Sequence, residues 1–188
     1  MQYVINAYNG NTEWLKEYTD NPIIYDKKEL NVGYNIYDYL DYIVNNYDNL
    51  PDVILFGKDN MLERHITKEE FDKLKDNKTF TPLLTQNHKV DGKINYYKDG
   101  LYYEINNSWY VNSYPHKYYT NYSDFARDFN LPNPEYLGFA PGASYIVTRE
   151  DIHKHSKDFY DRLKVLVSWD KTPFEAHLIE RSLYNIWS

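Results

Sequence analysis

The sequence predicts an α/β fold: a mostly parallel, Rossmann-like sheet flanked by helices, with an antiparallel meander inserted in it. Three observations carry this expectation. From Tyr3 to Asn60, short apolar runs alternate with amphipathic stretches, as in strands covered by crossover helices. Between Lys89 and Asn112 the apolar period drops to two, with Asp91-Gly92 and Asp99-Gly100 as hairpin turns. Strand and helix patterns then alternate again after Gly138. At 188 residues the chain has the length of one substantial core, so a single domain over 1–188 is expected.

Tyr3 to Ala7 reads as a strand, Asn9-Gly10-Asn11-Thr12 as its loop, and Glu13 to Tyr18 as a capped helix. Pro22 to Asp26 is a second strand, and Asn31-Val32-Gly33 a turn into a helix from Tyr34 to Asn49. Ile36, Tyr39, Leu40, Ile43, Val44 and Tyr47 recur on that helix at three- and four-residue spacing, the stripe that packs on a sheet. Val53 to Phe56 is a third strand ending in Gly57-Lys58-Asp59-Asn60. Ligands of such sheets sit at the carboxyl ends of the strands, so the loops at Asn9 and at Gly57 to Asn60 should face one crevice. Thr67 opens a helix reaching Lys75. The meander takes Ile94 to Tyr97, Leu101 to Ile105 and Trp109 to Val111 as strands. Ser123 to Phe129 is a short helix, Tyr145 to Val147 a strand, and Thr148 to Val167 one capped helix. The last helix opens at Thr172-Pro173-Phe174-Glu175-Ala176-His177 and carries an apolar stripe from Leu178 to Trp187.

Composition excludes several classes. A net charge of −7 with no Lys/Arg stripe argues against a nucleic-acid partner. The absence of cysteine excludes disulfides, thiolate catalysis and cysteine-ligated zinc, leaving any metal to oxygen and nitrogen ligands. The amino-terminal run lacks a basic segment and no long apolar stretch follows, so no membrane span and a cytoplasmic location are expected. The 22 tyrosines are spread evenly, which points to genomic bias of a low-GC bacterial or viral kind rather than to a binding surface.

Two readings of Glu175 are open. Thr172 can cap the last helix with Pro173 at its first position, and Glu175 would then complete a capping box. Alternatively, a carboxylate held ionised at a helix N-terminus is available as a general base. His177 lies two positions on and is either a surface histidine or a ligand near the crevice edge. Glu180 and Arg181 read as the polar side of this helix.

Ala7-Tyr8-Asn9, Ile24-Tyr25-Asp26, Asn31-Val32-Gly33, the run Asn46 to Asp52 and Gly142-Ala143-Ser144-Tyr145-Ile146-Val147 resemble, in that order, an uncharacterised family of small proteins allied to glycosyltransferases. The Thr-Pro-x-Glu segment is similar to the Ser-Pro-Asp-Glu segment of the core-2 branching N-acetylglucosaminyltransferases, whose glutamate is the general base. The resemblance covers most of the chain except the meander and its flanks.

It implies a GT-A-type glycosyltransferase that moves a sugar from a nucleotide-sugar, UDP-linked being favoured, to a glycan or other hydroxyl acceptor with inversion. Glu175 would be the base. Ala7, Tyr8 and Asn9 would contact base or ribose, Tyr25 would stack, and Asn31 and Gly33 would bind the donor or only shape the turn. Gly142, Ala143 and Ser144 would lie on the acceptor side. Where such enzymes carry Asp-x-Asp, this chain reads Gly57-Lys58-Asp59-Asn60, with one carboxylate. Asp59 and His177 could hold Mn²⁺ or Mg²⁺; otherwise Lys58 or Arg181 could neutralise the leaving diphosphate without a metal. The single carboxylate also leaves open a non-catalytic carbohydrate- or nucleotide-binding module.

Overall fold

The computed structural model describes residues 1–8, 10–85 and 95–188. Its larger sheet has five strands in the order β2-β1-β3-β8-β4, formed by β1 (Gln2–Ala7), β2 (Ile23–Asp26), β3 (Val53–Lys58), β4 (Thr81–Pro82) and β8 (Tyr145–Thr148). β1 pairs in parallel with both β2 and β3, whereas β8 runs antiparallel to β3 and to β4. The parallel character expected of the sheet therefore belongs to its first three strands. Because β2 and β3 lie on opposite sides of β1, the connection from β1 to β2 and the crossover from β2 to β3 run in opposite directions across the sheet. This makes a topological switch point at the carboxyl ends of β1 and β3, the place where open α/β sheets form a crevice.

The strands β1, β3 and β8 are near-continuous buried runs because both sheet faces are covered there, whereas the edge strand β2 is largely exposed. Val4, Ile54 and Phe56 face one cluster with α1 (Tyr34–Asn46), α6 (Lys157–Val167) and α7 (Phe174–Trp187). Tyr3, Ile5 and Leu55 face the other, with Leu15, Met61 from α2 (Met61–Arg64) and Phe71 from α3 (Lys68–Leu74). The stripe from Ile36 to Val44 on α1 is buried as its spacing predicts, but the helix ends at Asn46 and Tyr47 lies half-buried in a 3₁₀ turn, Tyr47–Asn49, that follows it.

The second sheet is antiparallel, in the order β5 (Tyr96–Lys98), β6 (Leu101–Ile105), β7 (Tyr136–Phe139). Asp99 and Gly100 turn the hairpin with φ of 51° and 79°. The Asp91-Gly92 turn and the start of the first meander strand lie outside the described residues. Trp109 to Val111 is not a strand. Ser108 adopts φ 49°, Asn107 Oδ1 accepts the Trp109 N–H, and the chain coils into a 3₁₀ turn at Val111–Ser113. The third strand is β7, whose Gly138 leaves room for the Tyr103 ring: a Cβ there would lie 2.7 Å from it.

Two helical boundaries also differ from the sequence expectation. The span from Thr148 to Val167 is two helices, α5 (Arg149–Ile152) under a Thr148/Asp151 capping box and α6, which restarts at Ser156 as a new cap. The Glu13 segment is a 3₁₀ helix without a Thr12 side-chain cap. Between them α4 (Tyr122–Asp128) is capped by Asn121. α7 lies against α1, α6 and β7, and so joins the two sheets. Among the described residues no helix is long and apolar enough to cross a membrane.

Candidate functional site

A groove opens at the switch point. Its first half, a cavity of about 210 Å³, is bounded by Asn6 and Tyr8 of the β1 end, Asn31 and Asn35 around the start of α1, Lys58, Asp59 and Asn60 at the β3 end, and Arg64, Lys171 and Thr172. The second half, about 360 Å³, runs beside α7 past Tyr114, Gly142, His177 and Glu180. Tyr34, Asn35, Lys58 and Arg64 belong to both.

The first half is built on a buried network. Asn6 Nδ2 donates to Asp38 Oδ2 at 2.5 Å, and Lys27 Nζ donates to Asp38 Oδ1 at 2.6 Å and to Val32 O at 2.8 Å. These bonds tie β1, the β2–α1 connection and α1 into one floor. Burial works against charge on both partners, pushing the Asp38 carboxyl up to about 6 against Lys27 and Asn6, and the Lys27 ammonium down against Asp38. Above this floor the rim is cationic. Lys58, Arg64 and Lys171 form no ion pair among the described residues. Burial lowers the Lys58 ammonium, Arg64 adds to that, and Glu180 and Asp59 oppose it. The recess is thus locally positive in a chain of net charge −7.

Asp59 shapes this rim. Its Oδ2 accepts the N–H groups of Tyr8 at 2.9 Å and Gly10 at 2.6 Å, and Trp14 Nε1 donates to its carbonyl at 2.9 Å. The β1 and β3 loops thus face one crevice, as expected. A Cβ at Gly10 would lie 2.5 Å from the Asp59 carboxylate, so only glycine allows this approach. One Asp59 oxygen being occupied in this way, the site offers a divalent ion a single carboxylate oxygen amid cations. His177, its expected second ligand, lines the other half of the groove. Among the described residues no cluster of three or more His, Cys, Asp or Glu forms. This donor set does not suit Mn²⁺ or Mg²⁺, and its chemistry is that of a phosphate site.

The second half centres on α7. Glu180 Oε1 accepts the Gly142 N–H at 2.8 Å, while Asn35 Nδ2 donates to the Gly142 carbonyl at 2.9 Å, so one peptide is held from α7 and from α1. Gly142 has φ 88°, and a Cβ on it would strike the His65 ring at 2.5 Å. Burial disfavours charge on Glu180, but His177, Arg181 and the Gly142 N–H outweigh it and hold the carboxyl down at about 2.

Glu175 lies elsewhere. Pro173, not Thr172, is the residue before α7, no side chain caps the helix, and Glu175 occupies its second position. Its carboxylate is fully buried, and Oε1 accepts three successive N–H groups, from Lys117 at 2.9 Å, Tyr118 at 2.6 Å and Tyr119 at 3.3 Å. Phe174 N donates to Pro115 O at 2.8 Å beside it. Neither the capping box nor an open general base describes this residue: it clamps the 115–119 segment to α7 and lines neither half of the groove.

The remaining expected residues divide. Tyr8, Asn31, Lys58 and Asp59 line the first half, and Gly142 and His177 the second. Asn9 lies outside the described residues. Ala7 stays in the ladder, its carbonyl accepting the Lys27 N–H, and the Tyr25 hydroxyl donates to Asp41 on α1. Gly33 serves the turn, with φ 60° and Val167 O 2.5 Å from where a Cβ would be. Ala143 and Ser144 are buried. Arg181 is removed from the groove by its buried pair with Glu104, at 2.6 and 3.1 Å, and lies against the Tyr110 ring at 3.9 Å. The sequence reading missed Arg64, Lys171, Asn35 and Glu180. The last was visible as His-x-x-Glu, an i,i+3 pair on one helix face; the others carry no local signal.

A model of the family described as "Protein of unknown function (DUF3431)" matches residues 4–188, and the chain belongs to that family. No curated protein and no solved structure matches it.

Proposed function

We propose that this DUF3431 protein binds a nucleotide-sugar, with a UDP-linked donor favoured, and transfers the sugar to a hydroxyl of a glycan or similar acceptor. The observation that carries the reading is Lys58: a largely buried, unpaired ammonium at the switch point, shared by both halves of the groove. Burying such a charge without a partner is costly, and a diphosphate is the partner that repays it. Lys58, Arg64 and Lys171 would then meet the charge that develops on the leaving diphosphate, which is electrostatic catalysis without a metal. Tyr8, 46% exposed at the mouth, offers a ring face to the base, and the Asn31 amide offers hydrogen bonds to hydroxyls. The acceptor would enter along α7. A non-catalytic binding module is the second reading, favoured by the closed environment of Glu175, and it predicts binding with no release of nucleotide.

Thermal unfolding against UDP, GDP, CDP and their sugar conjugates tests the reading. A ligand at a hundred times its dissociation constant adds about 2.7 kcal/mol, a rise of roughly 5 to 10 °C at this size. The expected result is a rise with one nucleotide class that Lys58→Ala abolishes. No rise with any of them would leave the reading without a donor site.

A further inference from the structure

His177 carries more than its packing needs. Its ring is enclosed by Tyr114, Tyr34 and Tyr110, at 4.1, 5.4 and 5.6 Å between centroids, a setting in which phenylalanine would pack as well. An imidazole stands there instead, with Nδ1 3.9 Å from Glu180 Oε2 and with Nε2 buried and lacking a hydrogen-bond partner. A buried polar atom left unpaired costs about 1–3 kcal/mol, which a purely structural ring avoids. Glu180 is itself fixed, by the Gly142 N–H at Oε1 and by Arg181 Nη1 3.5 Å from Oε2. An ionised carboxylate beside Nδ1 keeps the hydrogen on that nitrogen and leaves the Nε2 lone pair free to take a proton. This base and its orienting carboxylate both line the half of the groove that adjoins Lys58.

We propose that His177 is the catalytic proton acceptor of the transfer and that Glu180 is its positioning residue, an assignment that rests on the transferase reading above. As the acceptor oxygen bonds to the anomeric carbon, its O–H bond breaks and the proton passes to Nε2. The bond from that carbon to the donor phosphate breaks, and its electron pair leaves on the nucleoside diphosphate beside Lys58 and Arg64. No further reactant is required. The groups facing the imidazole are the Tyr34 hydroxyl-bearing ring from α1, Tyr110 and Tyr114 from the segment before α4, and Glu180 and Arg181 from α7; Lys58, Arg64 and His65 share its half of the groove. Burial pushes the Tyr34 and Tyr110 hydroxyls up, so neither competes as an anion near neutral pH.

The test uses the full chain and a panel of UDP-sugars, measuring donor affinity and release of UDP to water or to a simple alkyl glycoside. His177→Phe keeps the ring packing and is expected to slow release by about a hundredfold or more while changing donor affinity less than twofold. ¹⁵N NMR of the histidines should find the Nδ1–H tautomer at His177 and its loss in Glu180→Gln. An unchanged rate in His177→Phe, an Nε2–H tautomer in the wild type, or wild-type binding without any release overturns the assignment. A wild-type chain that binds none of the panel overturns the transferase reading and this assignment with it.

Discussion

Glu175 and Glu180 stand five residues apart on one helix, and their carboxylates do opposite work. The first turn of α7 is closed: Glu175 spends one oxygen on three N–H groups of a segment nearly sixty residues away in sequence, at separations of 56 to 58, and lines neither half of the groove. The second turn is open: Glu180 holds Gly142, stands beside His177 and lines the groove. The local motif singles out the first, whereas tertiary contacts place the second in the groove. A carboxylate at a helix start is an offer of charge, and what accepts it is decided by the rest of the fold.

The largest effect that would sharpen this contrast is on stability. Glu175→Ala removes the buried acceptor of three part-buried N–H groups and is expected to cost about 3 kcal/mol, a fall of roughly 6 to 12 °C in melting temperature, with donor affinity unchanged in the fraction that remains folded. A drop confined to activity, with the melting temperature kept, would break the contrast. Second, Lys58→Ala is expected to weaken nucleotide binding tenfold or more and to leave the melting temperature of the free protein the same or higher, since an unpaired, largely buried ammonium is removed. Isothermal titration alongside thermal melts checks both parts.

The third expectation concerns acid. The Glu180 carboxyl is held at about 2, below its ordinary 4.5. A depressed carboxylate adds stability that is present above the ordinary value and is lost as pH falls from 4.5 toward 2. Its full worth is about 3 kcal/mol, so the wild type should lose more melting temperature across that window than Glu180→Gln does. Parallel acid dependences would place the stabilising partner elsewhere. The smallest effect is expected from metal: because Asp59 presents one free oxygen among cations, chelation by EDTA or addition of Mn²⁺ should change nucleotide affinity less than twofold. A large metal dependence would return Asp59 to the role of ligand.

Much of this architecture was legible in the residues. The apolar runs of β1, β2 and β3, the stripe of α1, the Asp99-Gly100 hairpin and β8 all follow from periodicity and turn chemistry. So does the crevice between Tyr8 and Lys58-Asp59, because strand ends of a parallel sheet must converge there. What was not legible depended on partners distant in sequence. Arg181 reads as a free cation until Glu104, 77 residues earlier, is found beside it. Gly138 reads as loop until the Tyr103 ring is seen to occupy the space a side chain would fill. The break between α5 and α6 is carried by Ser156, a cap inside a span whose apolar spacing continues across it. Lys171 and Arg64 gain meaning only from the groove they border.

The most direct test of the central claim, that the anion-binding groove and not the Glu175 clamp is the working part of the molecule, is calorimetric titration of UDP and UDP-sugars into wild type, Lys58→Ala and Glu175→Gln side by side. Affinity weakened tenfold or more in Lys58→Ala and kept within twofold in folded Glu175→Gln is the predicted result. Binding that survives Lys58→Ala and is lost in folded Glu175→Gln would contradict it.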